Sequence, residues 1–304
     1  MDGDAALLLL ADSRLPAGGH AHSGGVEEAV RRGTVTGTGD LARFLRGRLA
    51  TAGLVTAALA AAGCELAASE TAAETAPGGV PGTAADSGGA DRELGATRDP
   101  GAPPADDAAH RVLLWRRLDA EADARTASPA QREAARTQGR LLLRTARRMW
   151  PSAALDTLAR AVPEGPHHPV ALGAAAASAG CAPRQAALAA AYTSVTGPAT
   201  AAVRLLGLDP VTVHRLLADL APALDDAARA ACASLDDAVP ADEEPDDCRA
   251  EEHPGQQPGR PPGRQPGGHA AWQARWRALP GHSAPALDLL AEGHLTNPMK
   301  LFVS

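Results

Sequence analysis

Only 2% of the residues are aromatic although 45% are hydrophobic, so any core must be filled by Leu, Val and Ala. Sheets lean on β-branched and aromatic side chains, whereas alanine is the best helix former. Closely packed helices are therefore the architecture this composition permits. With 304 residues, the chain has length for one large domain or two small ones. The expected class is all-α.

Periodicity agrees. Leu41, Phe44, Leu45, Arg48, Leu49, Ala52, Val55 and Leu59 form one stripe at helical spacing. Val112, Trp115 and Leu118 repeat the pattern, as do Leu141, Leu142, Thr145 and Met149. Pro151, Pro169 and Pro183 each stand where a new helix would open. Gly180 suits the end of the second of these, and Gly197-Pro198 is expected to break the third. The alanine-rich stretch from Ala171 to Ala179 would let helices approach closely. The reading is a single helical-bundle domain over 1–304 with about ten helices. Two stretches, 69–108 and 236–268, are too rich in Gly, Pro and charge to offset the cost of ordering, and are expected as low-complexity insertions.

Several functions are excluded by what the chain lacks. Its net charge of −7 argues against a general nucleic-acid binder. Lys300 is its only lysine and no glycine loop precedes it, so neither a P-loop nor a Schiff-base or kinase lysine can be assembled. Cysteines at 64, 181, 232 and 248 contain no C-x-x-C pair, which suggests buried, reduced thiols rather than a zinc site or a disulfide framework. The apolar run Ala5–Ala11 is too short to span a membrane and follows Asp2 and Asp4 instead of a positive segment, so no signal peptide or membrane anchor is read here. Cytoplasm is the expected location.

Two segments stand out. In Leu15-Pro16-Ala17-Gly18-Gly19-His20-Ala21-His22-Ser23-Gly24-Gly25-Val26-Glu27, glycine pairs flank His20, His22 and Ser23, so the backbone can turn tightly on both sides. Ser23 is placed to cap the following helix, with Glu27 and Glu28 near its positive end. If the chain were extended, His20 and His22 would project to one side and could contribute to a metal site, but two histidines are an incomplete ligand set. His167-His168 would close a loop before the Pro169 helix. No serine elbow, Cys/His arrangement or carboxylate pair offers catalysis. The second segment is His294–Ser304, where Asn297-Pro298 ends any helix and leaves an apolar tail that must dock on its own body or on a partner.

Taken together, these motifs resemble the UreF family of urease maturation factors. The resemblance rests on Leu7–Leu10, Leu15-Pro16-Ala17-Gly18-Gly19 and Ser23-Gly24-Gly25-Val26-Glu27. It continues through Gln138-Gly139-Arg140-Leu141, His168–Gly173 and Ala201-Ala202-Val203-Arg204-Leu205, and ends on Lys300-Leu301-Phe302-Val303-Ser304. The chain departs from the family at His20 and His22, where Phe and Tyr are usual, and at Val303, where arginine is common. The resemblance implies a non-catalytic, cofactor-free helical protein, usually dimeric. Such proteins bridge a UreG-like GTPase and a UreD/UreH-like scaffold, in a complex that docks on apo-urease and couples GTP hydrolysis to nickel insertion. Partner-binding positions implied are Gly18, Gly19, His20, His22, Ser23 and Glu27 in the turn, with Lys300, Leu301 and Phe302 in the tail. The competing expectations are a histidine-based nickel chaperone using His20, His22 and His168, and a helical regulator unrelated to urease.

Overall fold

The computed structural model describes residues 3–12, 14–75, 105–236 and 269–303, without the side chains of His20 and of residues 73–75, 105–106 and 269–270. Among the described residues the chain is all-α, with no strand. The helices are α1 (Gly3–Ala11), α2 (Val26–Arg31), α3 (Thr38–Arg48), α4 (Leu54–Thr75), α5 (Ala105–Ala124), α6 (Pro129–Met149) and α7 (Ala153–Ala161). They continue as α8 (His168–Ser178), α9 (Pro183–Leu206), α10 (Pro210–Asp219), α11 (Ala221–Asp236), α12 (His269–Arg277) and α13 (Pro285–Leu295).

The centre is α4, which packs on α8, α9 and α11, while α6 covers the far side of α8. Small residues set these distances. A Cβ on Gly173 of α8 would lie 2.2 Å from the Ala60 carbonyl oxygen of α4, so the two backbones meet where no other side chain fits. The alanine run of α8 thus does what its composition suggests. The few large side chains fill what remains, with Trp115 and Trp276 fully buried and the Trp272 and Trp276 rings 5.6 Å apart.

A π-helical turn, Leu49–Gly53, joins α3 to α4 in one rod. Its Thr38–Ala72 portion is long and apolar enough to cross a membrane by length and composition, but most of its apolar window is buried inside the bundle, as in a core helix.

The expected insertions fall mostly outside the described residues, and their edges need correction. Helix α4 runs on to Thr75 and α5 already begins at Ala105, so 69–75 and 105–108 are helical. The extension is tied down where Glu70, buried, accepts a hydrogen bond from Trp115 Nε1 at 2.6 Å.

The expected break at Gly197-Pro198 does not occur, because α9 continues through Pro198 to Leu206. Proline deprives the carbonyl four residues earlier of its N–H donor. That carbonyl belongs to Ser194, and Arg48 Nε donates to it at 2.8 Å. A side chain from the last residue of α3 has replaced the missing backbone donor.

Candidate functional site

The turn after α1 is shaped by left-handed glycines. Gly18 (φ +76) and Gly24 (φ +59) adopt backbone angles that other residues avoid, and both are pressed by neighbours. A Cβ on Gly18 would lie 2.7 Å from Leu141 Cδ1 of α6, and one on Gly24 would lie 2.8 Å from Pro198 Cγ. Thr145 of α6 donates to the Pro16 carbonyl at 2.9 Å, and Arg48 Nη1 donates to the Gly24 carbonyl at 2.9 Å. Arg48 therefore joins the turn to α9 with one guanidinium. Burial lowers its pKa to about 10.

Two details differ from expectation. Ser23 does not cap α2: the cap position is Gly25, which makes no side-chain bond, and Ser23 Oγ is buried with no hydrogen-bond partner among the described residues. The second glycine pair delays the helix by two residues and carries the serine past capping range. Residues Gly19–Ala21 form a 3₁₀ turn and are not extended, so the His-x-His pair lacks the strand geometry that would project both rings to one side. The His20 side chain lies outside the described residues. His22 is buried and near His168. Burial, reinforced by His22, lowers the pKa of His168 to about 4. His167 is committed elsewhere: its backbone N–H donates to Asp119 at 2.7 Å and its Nε2 meets Asp123 at 2.6 Å, while Arg136 binds both aspartates. That network fastens the start of α8 to α5 and α6.

The tail returns to this turn. After α13 the chain passes Asn297-Pro298 and lies against Ala21 and Glu27. The buried Glu27 carboxylate accepts the Leu301 N–H at 2.6 Å on one oxygen and the Phe302 N–H at 3.2 Å on the other. Val303 N–H donates to the Ala21 carbonyl at 2.7 Å. His294, also buried, completes the clasp with Nε2 3.2 Å from the Phe302 carbonyl and Nδ1 3.5 Å from Glu27. Phe302 is inside at 8% exposure, while Met299, Leu301 and Val303 stand out at 85%, 76% and 57%. Lys300 is exposed beside them.

The structure thus brings Gly18, Gly19, His22, Ser23, Glu27, Leu301 and Phe302 into one site, with Lys300 on its rim. Of these, Gly19, Lys300 and Leu301 are exposed; His22, Ser23, Glu27 and Phe302 are interior and support the surface from beneath. His294 and Arg48 are members that sequence reasoning missed. Arg48 did leave a trace, as the one charge in the apolar stripe of α3; His294 left none.

A cavity of about 550 Å³ adjoins the clasp, with His22, Arg48, His168, Ser194, His294 and Phe302 on its walls. Among the described residues no group of three or more His, Cys, Asp or Glu is placed to hold a metal. Burial pushes the Cys64 thiol up, and that of Cys232 up to about 11. Such thiols are poor nucleophiles. What the site offers is a shaped, partly apolar surface on a hydrogen-bonded base.

Comparison with known proteins follows the helical body. A family model described as UreF matches residues 35–221, a stretch lying between the turn and the tail. A protein of Mycobacterium sp. (strain JLS) is 45% identical over 226 residues, covering 74% of this chain and 83% of the relative. One from Mycolicibacterium vanbaalenii is 42% identical over 233 residues, covering 77% and 87%. One from Mycobacterium tuberculosis (strain ATCC 25618 / H37Rv) is 39% identical over 234 residues, with the same coverage. All three bear the name urease accessory protein UreF.

Proposed function

Because the chain belongs to the UreF family, we propose that it is a urease accessory protein acting as a non-catalytic scaffold between a UreD/UreH-like protein and a UreG-like GTPase. The assembly, with this chain as a homodimer in the cytoplasm, docks on apo-urease and couples GTP hydrolysis to nickel insertion. The observation that carries the partner-binding part of this reading is the tail. Met299, Leu301 and Val303 are held outward by a backbone that Glu27, Ala21 and His294 fix from below. An apolar strip held rigid has already lost its conformational freedom, so a partner that covers it gains burial without that cost.

In this reading Lys300 and Leu301 contact the UreD/UreH-like scaffold, and Gly18, Gly19 and His20 extend the surface across the turn. Phe302, His22, Ser23 and Glu27 position it. Its contribution to nickel transfer is differential binding to the GTPase's states, since only that can shift a conformational equilibrium.

Co-expression of the chain with the UreD/UreH-like and UreG-like proteins of its own genome tests the reading. A stable three-part complex that weakens on Phe302→Ala is the expected result. If neither partner is retained by the wild-type chain, the scaffold assignment fails; if Phe302→Ala binds as well as wild type, the tail assignment fails. Nickel titration of the isolated chain separates this from the histidine-chaperone reading, which requires a stoichiometric site lost with His22 or His168.

A further inference from the structure

On the flank of the bundle, α6, α7 and the loop leading to α8 enclose a groove of about 630 Å³. Arg140, Arg144, Arg147 and Arg148 line it from α6. Their spacing of i, i+4, i+7 and i+8 puts them within an arc of about 100° on one helix face. Like charges three and four residues apart on a helix destabilise it, so this face needs counter-charge. The protein supplies little. Arg147 pairs with Asp156 at 2.7 Å, and Arg140 donates to the Glu164 carbonyl and the Thr137 hydroxyl, with Glu133 more distant at 3.8 Å. Arg144 and Arg148 are exposed and, among the described residues, have no hydrogen-bond or ion-pair partner. Among the described residues Asp156 is the only acidic side chain lining the groove, in a chain whose net charge is −7.

The groove also has an apolar floor, with Leu143, Ala159, Val162 and Pro163 among its lining residues. An anion alone would leave that floor uncovered. A nucleic acid would need aromatic platforms or a longer basic track, and among the described residues no aromatic one lines the groove. We propose that this groove docks an acidic segment of a partner protein, with carboxylates on Arg144 and Arg148 and an aliphatic side chain on the floor. The inference needs only that the chain works by binding proteins, whatever the pathway.

Its test is a fluorescence-anisotropy titration of the full chain with a labelled peptide of Asp, Glu and Leu, alongside a labelled single-stranded RNA. Arg144→Glu/Arg148→Glu should weaken peptide binding by about tenfold or more, and Arg144→Lys/Arg148→Lys by less than about threefold. Arg46→Glu/Arg215→Glu makes the same change in net charge at exposed arginines elsewhere, and should also stay within about threefold. Circular dichroism confirms that each variant folds. The proposal is overturned if the wild type does not bind the peptide, if the distant pair weakens binding as much as the groove pair, or if RNA binds more tightly. Failure here with an intact three-part complex would sink the groove and leave the scaffold reading standing.

Discussion

Glu27 is a buried carboxylate whose hydrogen-bond partners are the Leu301 and Phe302 backbone N–H groups. Changing it to glutamine keeps one acceptor oxygen but turns an amide NH₂ toward the other donor. We expect Glu27→Gln to cost about 1–3 kcal/mol and to release residues 301–303, read as faster amide exchange there than in the wild type. Unchanged protection would mean that Phe302 and the Ala21 contact hold the tail without the carboxylate. A neighbouring residue governs acid stability. Glu28 binds Arg31 and Arg32, and its pKa falls from 4.5 to about 2, chiefly through the Arg31 hydrogen bond. Because the folded-state value is the lower one, this stabilisation is complete above 4.5 and is lost as pH falls towards 2. His168, lowered from 6.5 to about 4 by burial, acts in the same direction: its contribution is present above 6.5 and lost on the way down to 4. Urea denaturation across this range should therefore show two successive losses, the lower one absent in Glu28→Gln and the upper one in His168→Gln.

At the scale of elements, α9 shows how a helix survives an internal proline. If Arg48 supplies the donor that Pro198 lacks, Arg48→Met should cost about 3 kcal/mol in the wild type, by stranding the Ser194 and Gly24 carbonyls. In a Pro198→Ala background the restored backbone N–H should lower that cost, and a double-mutant cycle measures the difference. Additive effects would show that the helix does not need the arginine. This element also marks where the sequence could be read and where it could not. The stripe from Leu41 to Leu59 and the prolines at 169 and 183 placed helices correctly, because those signals are local. The continuation through Pro198 depends on a side chain 146 residues from the Ser194 carbonyl it bonds, which no window contains. The same holds for the helical turns beyond residue 69, fastened by a tryptophan from α5, and for Ser23, whose capping role failed through the two glycines that follow it.

For the whole molecule, the turn and the tail could each be singled out from sequence, but their meeting could not. Leu301 and Glu27 are 274 residues apart, and the contact is made by backbone N–H groups, which leave no compositional mark. What can be separated experimentally is the base from the surface. Met299→Asp and Leu301→Asp alter side chains already in water, so melting temperature should hold while binding to the UreD/UreH-like protein falls by about tenfold or more. Glu27→Ala should lower both together. If the outward substitutions leave binding intact, the partner surface lies elsewhere on the bundle.

The clasp also has a consequence in time. A ribosome makes Glu27 early and Leu301 and Phe302 late, so through most of synthesis the carboxylate has neither backbone donor. A chain released before residue 301 could fold its central helices and still present a half-formed turn, with Glu27 lacking the two backbone donors that close the contact in the finished protein. Assembly competence would then report that translation had reached that point, and prematurely terminated copies would be poor competitors for the same partners.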